Sequence, residues 1–226
     1  AVALFISSVS DAADTIYGTQ QIGLVNRAIE ALDSKQTKVA ESIGHRMVNA
    51  RYYSFNKNDG SNRHEHLCRM WGYFIRGYAR YISLVEKLRR PFTSRQREQM
   101  KVIRRDLDKG YELFGEINDD KKYAKSLSNL SIWPKKGDVM LGAVLQGAGQ
   151  LSALMDDEAS ALAYFDTIVE EVRDEDSQIS ALTWRVTIYC HKGEERLAEA
   201  SLLQAKRLSR KDSAVRKAEA LFNSTF

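Results

Sequence analysis

Proline, cysteine and histidine are scarce in this chain, and long apolar runs are missing. Two prolines in 226 residues exclude a Pro-rich linker protein and argue against a loop-dense all-β architecture, whose turns draw on proline and glycine. Two cysteines, Cys68 and Cys190, allow one bridge at most, which excludes a disulfide-stapled mini-domain. The apolar start Ala1-Val2-Ala3-Leu4-Phe5-Ile6 falls far short of the ~20 residues a helix needs to cross a bilayer. No later segment approaches that length. The small residues from Ser7 to Ala13 resemble the border after a membrane or signal helix. The plainer reading of the run is an ordinary helix start or a docked strand. The rest reads as a soluble body, with a tether through a removed amino-terminal segment as the alternative, and the compartment stays open.

What is present suits a helical protein with a sizeable core. Apolar residues make up 43% and charged residues 28%, too apolar for a disordered chain. The net charge of +4 conceals a polarity. Residues 1–115 carry nineteen Lys and Arg against twelve Asp and Glu, whereas residues 116–226 carry fifteen against eighteen. So small an overall excess does not imply nucleic acid, but a basic half can form a local positive face.

The apolar residues follow helical spacing. Ile22, Val25, Ile29 and Leu32, then Val39, Ile43 and Met47, predict one long helix over 12–54 with a bend at Gly44, although Gln36 interrupts the stripe. The turn cluster Asn56 to Asn62 separates it from a second, aromatic-rich helix over 63–89, closed by Pro91. Thr93 and Gln96 have capping-box spacing, and the helix behind them shows Met100, Ile103, Leu107, Tyr111 and Phe114 before Gly115 and Asn118-Asp119-Asp120 end it. Trp133-Pro134-Lys135-Lys136-Gly137-Asp138 is a clear break. The chain thus divides into an N-terminal helical region, 1–137, and a C-terminal region, 138–226. The second holds two hairpins, 139–155 with 157–174 and 178–192 with 194–210, and a last helix over 213–223.

The two hairpins are self-similar. With Ala161 over Ala198, Phe165 falls over Leu202, Ile168 over Ala205, Leu145 over Leu182 and Ser152 over Tyr189, a period of 37 residues. This resembles the tetratricopeptide family, with Gly149, Ala161 and Phe165 on its motif in the first hairpin and Tyr189, Ala198 and Ala205 in the second. The sequence departs from the family in three ways. The family's period is nearer about 34, Val186 stands where Gly is expected, and neither hairpin ends in Pro. The resemblance covers the C-terminal ~85 residues and implies an α-solenoid with a terminal capping helix, a groove for a peptide or protein, and no chemistry.

Catalytic signals are weak. Only four histidines occur, His45, His64, His66 and His191, and there is no Gly-x-Ser-x-Gly elbow and no phosphate-binding Gly-rich loop. The glycines at 142, 147 and 149 follow no predicted strand. His64, Cys68, Cys190 and His191 are the best zinc candidates, but they lack the ligand spacings of closed zinc sites. The reading is therefore non-enzymatic, with no catalytic residue, cofactor or metal assigned.

A basic segment is the stronger signal. Residues 87–109 hold nine Lys and Arg against three acids. Arg97, Lys101 and Arg105 are spaced by four on one helix face, beside Arg89, Arg90 and Arg104, a spacing suited to phosphates. A second basic run lies between Lys206 and Lys217, and residues 156–176 carry nine acids against Arg173. Tyr73, Tyr78 and Tyr81 would stack on bases if exposed. The primary expectation is an all-α protein, an N-terminal helical bundle followed by stacked hairpins, acting as a protein-interaction scaffold or adaptor, a subunit of a larger assembly. The alternatives are a helical nucleic-acid-binding protein, an anionic-membrane contact or a membrane-tethered sensor domain. Acidic and basic segments together also suit a homo-oligomer.

Overall fold

The computed structural model describes residues 13–49, 61–119 and 135–226, and among them every element is an α-helix. These are α1 (Ala13–Asp33), α2 (Thr37–Asn49), α3 (Ser61–Val85), α4 (Ser94–Asp119), α5 (Lys135–Leu154), α6 (Glu158–Glu171), α7 (Glu175–Lys192), α8 (Glu195–Leu208) and α9 (Ser213–Thr225). The apolar start, the Asn56–Gly60 part of the turn cluster and the Trp133-Pro134 break lie outside the described residues.

Local signals fix most boundaries. The Thr93 hydroxyl accepts from the Gln96 amide at 3.2 Å while the Gln96 side chain accepts from the Thr93 amide at 2.9 Å, a reciprocal cap that starts α4. Asp157, Asp174 and Asp212 accept from first-turn amides and start α6, α7 and α9. Gly193, at φ +70°, ends α7 in the left-handed conformation that glycine adopts without strain.

Two expectations are corrected. The helix expected over 12–54 is two helices, broken at Ser34–Gln36, where Lys35 has φ +58°. Because α2 begins afresh, its buried face is Ala40, Gly44 and Met47, whereas Val39 is 45% exposed. The interruption falls at Ser34–Gln36 rather than at Gly44, which lies within α2 at a close crossing with α3. The fourth helix passes through Gly115, where a single glycine costs only about 1 kcal/mol against alanine, and ends at Asp119, within the expected terminal cluster.

The helices form two layers. Each odd-numbered helix packs on the next odd one: α1 on α3, α3 on α5, α5 on α7 and α7 on α9. Each even-numbered helix sits over the two odd helices that flank it. One core runs from Val25 in α1 to Ile188 in α7, and a smaller one joins α7, α8 and α9 around Leu182, Val186, Leu202 and Val215. Small residues set the closest crossings. A Cβ on Gly44 would stand 2.8 Å from the Gly72 carbonyl oxygen, and one on Gly149 would stand 2.7 Å from the Phe165 ring. Antiparallel connection places the α1–α2, α3–α4 and α5–α6 turns at one end of the stack, called the upper end below.

Candidate binding surface

The even helices stand further apart than the odd ones, so side chains span the gaps between them. Between α4 and α6 the gap is closed. Arg104 Nη1 donates to Asp157 at 2.7 Å and to the Ser152 hydroxyl at 3.3 Å, and the Tyr164 hydroxyl donates to Asp108. The Tyr111 hydroxyl donates to Glu171 at 3.3 Å. Hydrogen bonds from Ser160 and Arg104 hold the Asp157 carboxyl below its ordinary value. Burial pushes the Asp108 carboxyl up, and it pushes the Tyr164 hydroxyl up further with help from Asp108.

Between α2 and α4 the gap is open. A groove of about 500 Å³ is lined there by Glu41, Arg80, Leu84, Lys87, Arg95, Gln99, Val102 and Ile103. Its floor rests on a network that is buried at Asp106 and half-buried at Arg80 and Glu41. Arg76 donates to Asp106 at 2.9 and 2.6 Å, and Arg80 donates to Asp106 at 3.0 Å and to Glu41 at 2.6 Å. Asp106 is 8% exposed, and the two guanidiniums neutralise it on the apolar side of α4, beside Ile103 and Leu107. Spacing along the chain does not single out these residues as a group. The available signal was an acid on an otherwise apolar helix face, Asp106 between Ile103 and Leu107, matched by Arg76 and Arg80 one turn apart.

The basic residues of 87–109 divide. Arg104 turns inward to Asp157 and is committed to closing the α4–α6 gap. Lys101 lies 3.8 Å from Glu98. Arg89, Arg90, Arg97 and Arg105 are exposed and make no ion pair among the described residues. Lys87 and Arg95 do likewise at the groove. The Arg90 guanidinium sits 5.5 Å above the Phe92 ring, and Arg89 donates to the Leu88 carbonyl at 2.6 Å. Two smaller clefts flank α4, one of about 380 Å³ with Arg90, Phe92, Arg97 and Asp156, the other of about 360 Å³ with Lys101, Arg105, Asp108 and Asp157. Acids therefore interleave with the cations along this side. The candidate face is a mixed surface at the upper end of the α3–α4 hairpin rather than an unbroken positive track.

The other candidates are dispersed. Tyr78 and Tyr81 stack on each other at 5.8 Å, the Tyr81 hydroxyl donates to Gln150, and burial raises both hydroxyls, so these rings serve the packing. Tyr73 carries the Arg76 guanidinium at 5.1 Å. Cys68 and Cys190 are buried in the larger and the smaller core respectively, the Cys68 thiol donates to the Met47 carbonyl at 3.9 Å, and burial raises the Cys190 thiol. His66 lies 3.4 Å from Glu116, and the His64 side chain lies outside the described residues. Among the described residues, no group of three or more His, Cys, Asp or Glu is placed to hold a metal ion, and no helix is long and apolar enough to cross a membrane. Comparison with known protein families, curated proteins and solved structures gives no match.

Proposed function

We propose that the chain is a non-catalytic interaction scaffold, a stack of helical hairpins resembling tetratricopeptide repeats that receives a protein segment in the groove between α2 and α4. The observation that carries the reading is the contrast between two equivalent gaps in one layer. The chain fills the α4–α6 gap with Tyr164, Tyr111 and Arg104, and leaves the α2–α4 gap open over Leu84 and Ile103. Leu84, Val102 and Ile103 give the groove an apolar strip, and the charged and polar groups around it, Glu41, Arg80, Lys87, Arg95, Glu98 and Gln99, offer hydrogen-bond and ion-pair partners to a segment laid along it. The repeat-like contacts agree with the resemblance: Gly149 lies against Phe165, α5 packs on α7, and α9 covers α7. Quantitative affinity purification of the tagged full chain from its source cells tests the reading, with Lys87→Glu/Gln99→Trp as the comparison. Proteins retained by the wild-type chain and depleted about tenfold in the variant are expected. A protein set indifferent to the variant contradicts it.

A second reading, contact with nucleic acid, draws on the exposed cations Lys87, Arg89, Arg90, Arg95, Arg97 and Arg105. A salt titration with single-stranded RNA and duplex DNA separates the two, since counterion release gives phosphate binding a steep salt slope.

A further inference from the structure

The groove between α2 and α4 has a sign as well as a shape. Its floor cancels its own charge, since Asp106 and Glu41 accept from Arg76 and Arg80. Three charged residues remain on the lining, Lys87, Arg95 and Glu98. Glu98 lies 3.8 Å from Lys101 on its own helix. Lys87 and Arg95 are exposed and make no ion pair among the described residues. Arg95 is not there for the sake of its helix. It stands in the first turn of α4, where the partial positive charge of the helix N-terminus opposes a cation, and no acid in that turn offsets it.

The chain around the upper mouth of the groove has the same sign. Residues 33–41, which lead into α2, and 86–98, which lead into α4, hold seven Lys and Arg, all exposed, against four acids. One of those acids, Glu41, is already bonded to Arg80. Asp156 and Asp157 lie on the far side of α4, in the clefts with Arg97 and Arg105. The mouth is therefore positive, and it attracts segments of the opposite sign. Below it lies the apolar strip of Leu84, Val102 and Ile103. Val102 is seven residues beyond Arg95, about 10 Å along α4, a distance that an extended chain covers in about three residues.

A segment that covers the strip also covers Lys87 and Arg95. A neutral or basic segment would take water from two unpaired cations and return nothing, whereas a carboxylate replaces that water with a charge-assisted hydrogen bond. A nucleic acid would meet the same cations, but it would run phosphates past Glu41 and Glu98 as well and leave the apolar strip without a counterpart. We infer that the groove takes an acidic protein segment. Its Asp or Glu side chains pair with Lys87 and Arg95, and an apolar residue about three positions away rests on Leu84, Val102 and Ile103. The inference rests on the reading of the groove as a docking site and adds the chemistry of what docks there.

The test is selection from a display library of random short peptides on the immobilised full chain. The comparisons are Lys87→Glu/Arg95→Glu, which reverses the mouth, Gln99→Trp, which fills the groove, and Arg97→Glu/Arg105→Glu, which reverses cations on the far side of α4. All five residues are exposed, so the substitutions leave the core untouched. The wild-type chain and Arg97→Glu/Arg105→Glu are expected to enrich the same peptides, with Asp or Glu about three positions from Leu, Ile, Val or Phe. Lys87→Glu/Arg95→Glu is expected to enrich basic peptides instead, and to bind a peptide selected by the wild-type chain about tenfold more weakly. That exchange of sign, unlike a loss, also shows the variant to be folded. Gln99→Trp is expected to enrich neither set. Peptides that vanish with Gln99→Trp but keep one composition on the wild-type chain and Lys87→Glu/Arg95→Glu overturn the inference and leave the groove reading standing. An acid preference abolished by Arg97→Glu/Arg105→Glu overturns the inference by putting the contact outside the groove. Peptides enriched equally on Gln99→Trp overturn the groove reading and the inference with it. A chain that enriches no peptide overturns the inference, and retention of single-stranded RNA through Lys87 and Arg95 would then assign the two cations to nucleic acid.

Discussion

Arg76 grips Asp106 in a fork, Nε to Oδ2 at 2.9 Å and Nη2 to Oδ1 at 2.6 Å, across the interface of α3 and α4. Their side chains are 12% and 11% exposed. Asp106→Ala leaves the Arg76 charge buried and unpaired, and is expected to cost about 3–5 kcal/mol of stability. Asp106→Asn keeps an acceptor and is expected to cost about 1–3 kcal/mol. Urea denaturation checks both values. Equal losses in the two variants would show that the charge itself contributes nothing.

Gly44 and Gly72 set the crossing of α2 with α3. A Cβ on Gly44 would meet the Arg76 amide nitrogen at 2.7 Å and the Gly72 carbonyl oxygen at 2.8 Å, backbone atoms that cannot turn aside. Gly44→Ala is therefore expected to destabilise by about 1–3 kcal/mol, despite alanine's helix propensity. Gly115→Ala, where a Cβ meets nothing within 4 Å, is expected to stabilise by up to about 1 kcal/mol. Thermal melts of the two variants should move in opposite directions.

The legible parts of the fold were those written in neighbouring residues. Thr93 with Gln96, Pro91, and the apolar steps from Met100 to Leu107 each act within a turn or two, and the all-α architecture followed from them. The break at Ser34–Gln36 was missed because the apolar stripe resumes at Val39 with helical spacing. Gln36, standing where an apolar residue was due, was the sign of it. The network beneath the α2–α4 groove bonds residues up to 39 positions apart, Glu41 to Arg80, and no local pattern reports such pairings. Among the basic residues, sequence spacing grouped Arg104 with its exposed neighbours, and only the position of Asp157 in the α5–α6 turn reveals that Arg104 is engaged.

Asp157 and Asp108 contact the same Arg104 and are shifted in opposite directions from the ordinary carboxyl value. The folded value of Asp157 lies below the ordinary 3.8, so its contribution is present above that value and is lost as pH falls through the lower folded one. The folded value of Asp108 lies above 3.8, so its contribution is present below that value and is lost as pH rises through the higher folded one. Asp157→Asn should flatten the acid limb of stability below about pH 4. Asp108→Asn should remove the decline above about pH 4 and leave the Tyr164 bond an acceptor. Urea midpoints between pH 3 and 8, about the range over which these groups change charge, check both.

Tyr81 and Tyr164 are each held above the ordinary tyrosine value of 10.0, by burial first. Their contribution to stability is complete below that value and is lost as pH rises through the raised folded ones. Tyr164→Phe gives up the bond to Asp108, about 1 kcal/mol at neutral pH, yet should move the alkaline unfolding midpoint upward. Phenolate absorbance recorded together with far-ultraviolet dichroism tests this. Ionisation of both tyrosines before any loss of helix would contradict it.

The central claim is that the open groove between α2 and α4 receives a protein segment. A photoreactive phenylalanine at Gln99, on the groove rim, tests it most directly, with the same group at exposed Lys217 in α9 as the comparison. The account predicts discrete protein adducts from Gln99 in source cells, absent from Lys217 and lost on adding Lys87→Glu. Adducts confined to nucleic acid, or protein adducts no more abundant at Gln99 than at Lys217, would contradict it.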